Sequence, residues 1–175
     1  MLTRQPPVAL ITSAGLVVLT LGAAGQQAPD PAPVSELLQN FVPVTDAMLR
    51  EPAPENWISF RNGYGLWGYS ALDQIDTANV DELRLVWSRA MQHGYQEVEP
   101  TVYNGVMFLA NVEDIVQALD ATTGDLLWEY RRALPDNIAN VTGTRYRYRN
   151  VSIYDDKIFL ATNDAFLVAL DAKTG

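Results

Sequence analysis

The chain has no cysteine, one histidine, and only 12 lysines and arginines against 21 aspartates and glutamates. Without cysteine, these 175 residues cannot hold a disulfide framework, a thiolate metal site, a Cys-x-x-Cys-His haem attachment or a lipoprotein anchor. The formal charge of −9 argues against a nucleic-acid partner, because phosphate binding needs clustered lysine and arginine. A lone histidine, His93, is more often a surface or core residue than a catalytic base. The apolar run Val8 to Leu21 is too short for an ordinary membrane span. With Arg4 before it and Ala23-Ala24-Gly25 after it, residues 1–25 read as a secretory leader, the alternative being an uncleaved N-terminal anchor.

What the chain does have is a stretch that occurs twice. Tyr103 to Gly124 reads YNGVMFLANVEDIVQALDATTG, and Tyr154 to Gly175 reads YDDKIFLATNDAFLVALDAKTG, 51 residues later and without a gap. Such a unit cannot bury its own apolar face and needs neighbours, so tandem copies imply radial or linear repetition. The second copy ends where the first continues into Asp125-Leu126-Leu127-Trp128, so the sequence is expected to stop inside a repeat.

Within the first copy, strands are expected at Glu99–Tyr103, Val106–Asn111, Ile115–Asp120 and Asp125–Tyr130, forming an antiparallel meander. Asn104-Gly105 is a hairpin turn, since both central positions favour positive φ. The second copy gives Val151–Tyr154, Lys157–Thr162 and Phe166–Asp171. Asp120, Thr123, Gly124 and Trp128 form Ala-x-Asp-x-x-Thr-Gly-x-x-x-Trp, which begins again at Asp171, Thr174 and Gly175. Asp and Thr can bond backbone across the turn, Gly can take positive φ, and Trp128 can dock over the next unit. Residues repeated in every unit cannot all lie at one active site, so these read as structural.

Upstream, 26–55 is a flexible segment with short helical turns. Ser35 to Leu49 carries a helical stripe with Ser35 as N-cap, and Pro43 splits it into two short pieces. In Asn56 to Ser70, Trp57, Trp67 and Tyr69 are expected to pack around Gly63, Gly65 and Gly68. Those glycines are not a nucleotide loop, because no strand precedes them and no helix follows. Leu83 to Met91 alternates as a strand, with Leu83, Leu85 and Trp87 on one face.

The Trp-docking repeat resembles that of the eight-bladed quinoprotein propellers. Asn56-Trp57, Trp67-Gly68-Tyr69-Ser70, Leu72-Asp73-Gln74-Ile75, Asn79-Val80 and Leu83-Arg84-Leu85-Val86-Trp87 resemble the N-terminal region of the periplasmic alcohol dehydrogenases that use pyrroloquinoline quinone (PQQ). The resemblance implies an all-β fold over 56–175. It would be an incomplete β-propeller with one full four-stranded blade, a partial second blade and a ring-closing strand at Leu83–Met91. It further implies periplasmic localisation, an alcohol substrate, PQQ with Ca²⁺ as cofactors, a cytochrome c acceptor and peripheral membrane association.

Two cofactor-binding residues are expected. Gln96-Glu97-Val98-Glu99-Pro100 matches the family's E-x-x-P setting and points to Glu97 rather than Glu99. Read alone, Glu97 is one more carboxylate on an acidic surface. Arg145-Tyr146-Arg147-Tyr148-Arg149 is a basic strip whose arginines share one face if the strip is extended. Cations at a strand entrance suit a carboxylate-rich cofactor, and the family has an arginine at the position of Arg149. Many members place adjacent cysteines six and five residues before it, where this chain has Gly143 and Thr144. No catalytic residue or metal ligand is expected within the chain; the family's aspartate base and metal ligands fall beyond Gly175. The competing reading is a non-enzymatic propeller acting as an envelope scaffold or sensor. On the favoured reading, the 175 residues alone would be inactive.

Overall fold

Each copy of the repeated stretch folds into its own antiparallel sheet in a computed structural model that describes residues 33–143, 147–148 and 150–175. The secretory leader falls outside the described residues, as do Thr144, Arg145 and Arg149. Helices α1 (Glu36–Gln39) and α2 (Asp46–Arg50) come first, followed by a 3₁₀ turn at Val80–Glu82. Strands β1 (Tyr95–Gln96), β2 (Thr101–Tyr103), β3 (Val106–Asn111), β4 (Ile115–Asp120) and β5 (Leu126–Arg131) follow. Then come α3 (Ile138–Thr142), β6 (Arg147–Tyr148), β7 (Ser152–Tyr154), β8 (Lys157–Ala161) and β9 (Leu167–Asp171).

The first sheet has the order β2-β3-β4-β5 and the second β7-β8-β9, each a meander of sequence neighbours. Asn104 and Gly105 both have positive φ, 49° and 78°, so the β2–β3 hairpin is the primed turn its sequence demands. β3 carries side chains buried on both faces, which explains its lack of alternation. One core spans both sheets: Phe108, Ala118 and Trp128 from the first join Ile153, Ile158, Leu160, Leu170 and Ala172 from the second.

The junction is built as the repeat predicts. The Trp128 indole lies over Gly175, where a Cβ would meet its Cε3 at 2.7 Å, and its Nε1 donates to Ala172 O at 2.9 Å. Gly175 has φ of 74°, which leaves room for the ring and suits a residue without a side chain. Asp120 Oδ1 accepts from Thr122 N and Thr123 N, and Asp171 Oδ1 accepts from Lys173 N and Thr174 N.

The N-terminal segment staples the two sheets together. Tyr103 Oη donates to Val42 O at 2.9 Å and its ring meets Phe41 edge-on. Val44 pairs with Asp155 at the β7–β8 turn. The split at Pro43 occurs as expected. Ser35 sits at the α1 N-cap without a side-chain bond, while Thr45 Oγ1 accepts from Met48 N at α2.

Two expectations hold only in part. Leu83–Met91 is extended but joins no ladder among the described residues, and Leu85 and Val86 are 84% and 81% exposed. Asn111 of β3 reaches Met91 Sδ only through its side chain, and the resemblance gives this segment its ladder partner in the last blade of the ring. Trp67 and Tyr69 do not pack into a core; they are 85% and 74% exposed. Trp67 folds its ring back over Gly65 instead, where a Cβ would meet Nε1 at 2.2 Å.

Candidate cofactor site

A short parallel ladder was not foreseen. Tyr95 pairs with Arg147 and Gln96 with Tyr148, so β1 ahead of the first sheet runs beside β6 ahead of the second. β6 also rests against the Val112–Asp114 turn of the first sheet. In sequence, Glu97 follows β1 and Arg149 follows β6. The structure places Glu97 on the surface just past β1. Arg149 lies outside the described residues, and Gly143, the C-cap of α3, is left-handed with φ of 77°.

The neighbouring carboxylate has a different task. Glu99 Oε1 accepts from Trp57 Nε1 at 2.5 Å and from Arg61 N at 2.7 Å, while Glu99 N donates to Asn150 Oδ1 at 2.6 Å. Trp57 is itself fixed to β2 by a reciprocal backbone pair with Val102. Glu99 is therefore an anchor, and Val98 beside it packs against the core. His93 is exposed, and no group of three His, Cys, Asp or Glu among the described residues could hold a metal ion.

Two further polar contacts bind sheet to sheet on strand-connecting turns. Asp114 is fully buried, and its two carboxylate oxygens accept from Asn163 N and Nδ2, each at 2.8 Å. Burial pushes its carboxyl above the usual range, against the pull of the Asn163 bonds. Arg132 grips Asp164 through two bonds of 2.8 and 2.7 Å and stacks on Phe166 at 4.6 Å. The Arg132 hydrogen bonds hold the Asp164 carboxyl down at about 2.

An acidic planar quinone needs open space, a hydrogen-bonding edge and cations. Of these, the described residues provide an exposed carboxylate at Glu97 and open space at Gly143, where a Cβ would meet nothing within 4 Å. Gln96 Oε1, one residue before Glu97, is buried with no hydrogen-bond partner. The cations are present in sequence at Arg145, Arg147 and Arg149. By residue type, this donor set suits such a group.

The anchoring role of Glu99 and Asn150 has no motif of its own and was missed. So was Trp87, although Leu85-Val86-Trp87 parallels Leu126-Leu127-Trp128 in sequence. Its Nε1 donates to Ala121 O at 3.1 Å and its ring covers Gly124, whose Cβ would meet Cε3 at 2.6 Å.

Two successive meanders, each with its closing Thr-Gly turn covered by a tryptophan from upstream, define this chain as consecutive blades of a β-propeller. It belongs to the family described as the glucose/ethanol/alcohol dehydrogenase β-propeller domain, whose model matches residues 57–175. The dehydrogenase subunit of the quinone-dependent alcohol dehydrogenase of Gluconobacter oxydans is 40% identical over 123 residues, covering 70% of this chain and 16% of that protein. The quinoprotein alcohol dehydrogenase PedH of Pseudomonas putida is 41% identical over 120 residues, covering 65% and 20%. Among solved structures, the quinohemoprotein alcohol dehydrogenase ADHIIG of Pseudomonas putida HK5 matches with a TM-score of 0.70 at 33% identity, covering 77% of this chain and 20% of that one. A europium-containing methanol dehydrogenase matches with a TM-score of 0.68 at 30% identity, covering 75% and 24%. The chain thus spans between 16% and 24% of the length of these proteins.

Proposed function

We propose that this chain is the N-terminal part of a PQQ-dependent alcohol dehydrogenase with an eight-bladed propeller, exported to the periplasm. The observation that carries the reading is the β1–β6 pairing within a family-matched fold: it joins the strand that leads into Glu97 to the strand that leads into Arg149. The leader-like residues 1–25 support export.

When bound, the quinone supplies the two-electron acceptor for oxidising an alcohol to its carbonyl product. Arg149 would pair with a cofactor carboxylate, and Glu97 would accept hydrogen bonds at the cofactor edge. Trp57 and Glu99 hold the backbone on which Glu97 sits. The Ca²⁺ ligands and the base would come from later blades, and cytochrome c would take the electrons, with peripheral membrane association at that step.

The test is cofactor titration of the full-length apo-protein, followed by tryptophan quenching. Arg149→Ala and Glu97→Gln are each expected to weaken PQQ binding about tenfold or more, the loss of a charge-assisted hydrogen bond. Unchanged affinity in both would sink the reading. As a control, the 175-residue chain with PQQ and Ca²⁺ is expected to show no alcohol-dependent dye reduction, its cofactor site being incomplete without later blades.

A further inference from the structure

We infer that Asn150 is a positioning residue for the cofactor site, acting through the backbone of Glu99 on Glu97. The inference rests on the reading just proposed.

Glu99 and Asn150 are 51 residues apart, the period of the repeat, so they occupy equivalent places at the entrances of successive blades. At one of these entrances the side chain of Asn150 holds the backbone of the other, Glu99 N to Asn150 Oδ1 at 2.6 Å. The segment it holds needs holding. β1 ends at Gln96 and β2 begins at Thr101, so residues 97–100 run between ladders, and Pro100 has no N–H to give.

The Glu99 carboxylate completes the fixture. It receives Trp57 Nε1 and Arg61 N, and Trp57 is bonded in turn to Val102 on β2. The backbone two residues downstream of Glu97 is therefore tied on one side to the pre-blade segment and on the other to the residue that follows Arg149. A change of ligand group by even about 1 Å is enough to impair a preorganised site. Asn150 thus sets how the backbone bearing Glu97 stands relative to β6, which Arg149 follows in sequence. Alanine at 150 would leave the Glu99 N–H without its acceptor and let residues 97–100 drift.

The experiment is a double-mutant cycle in the full-length apo-protein, with PQQ affinity measured by tryptophan quenching and melting temperature recorded beside it. Asn150→Ala is expected to weaken PQQ binding about tenfold, the loss of one well-formed, half-buried hydrogen bond. Combined with Glu97→Gln, it should add little beyond the larger single effect, because both act through one group. Asn150→Asp, which keeps the acceptor oxygen, should restore affinity to within about threefold of the parent. Additive losses, an Asn150→Ala affinity equal to the parent's, or no recovery with Asn150→Asp would overturn the inference. If Asn150→Ala does not fold, Trp57→Phe releases the same segment from its other side, and the same cycle decides. If Glu97→Gln alone leaves the affinity unchanged, it is the underlying reading of the site that fails.

Discussion

The two tryptophan junctions of this molecule make the same contact in different company. Trp128 lies on β5 inside a four-stranded ladder, is buried, and docks on Ala172 and Gly175. Trp87 lies on an extended segment outside every described ladder, is half-buried, and docks on Ala121 and Gly124 in the same way. The docking contact is therefore separable from strand pairing. It needs a glycine with positive φ, an alanine carbonyl and an indole with its N–H at the right height, and the repeated Asp-x-x-Thr-Gly turn provides the first two.

Breaking the two docks should separate what they share from what the ladder adds. Trp128→Ala removes a buried indole that also meets Phe108 at 5.9 Å between ring centroids. It is expected to lower unfolding free energy by about 3–5 kcal/mol, read by urea denaturation. Trp87→Ala removes one hydrogen bond and a half-buried ring, and about 1–2 kcal/mol should be lost. Equal losses would mean that burial in the ladder contributes nothing at the first junction.

Gly124→Ala sharpens the same comparison. The residue has φ of 77° and its Cβ would strike the Trp87 ring, so strain and overlap together are expected to destabilise by about 1–3 kcal/mol. In a Trp87→Ala background the overlap is gone and only the backbone strain remains. The two changes should then sum to more than the double mutant loses. Strict additivity would show that the ring does not sit on the glycine in solution.

The sequence made the repeat legible because its chemistry is local. Asn104-Gly105 sets its own hairpin, Val106–Asn111 announces a buried strand, and the Thr-Gly turn carries its own hydrogen bonds. Those elements fall within a residue or two of where the pattern puts them. The failures are non-local. Leu83–Met91 alternates correctly, but alternation cannot create a hydrogen-bonding neighbour. Trp67 packs on Gly65 as the aromatic-glycine pattern implies, but a local pattern does not say how much of Trp67 and Tyr69 stays exposed, and both do. The Glu99–Asn150 tie joins residues 51 apart through one side chain and one backbone N–H, a pairing that leaves no pattern to read. Glu97 stands out in sequence only by its E-x-x-P resemblance, and its exposure beside β1 depends on the fold.

The smallest effect concerns the carboxylates that tie the Trp128 junction from its other end. Asp164 has a carboxyl held at about 2 by Arg132, below the ordinary aspartate value, so its pairing stabilises the fold above about pH 4 and is lost as pH falls toward 2. Asp114 has the opposite sign. Burial raises its carboxyl, so its charged form opposes folding at neutral pH and that opposition eases on acidification. Asp164→Asn should therefore be less stable than the parent at pH 7, and the gap should close between about pH 4 and pH 2. Urea midpoints across that range would check it. A gap that stays constant with pH would mean that the Arg132–Asp164 pair acts through packing on Phe166 rather than through charge, placing this tie in the same class as the tryptophan docks.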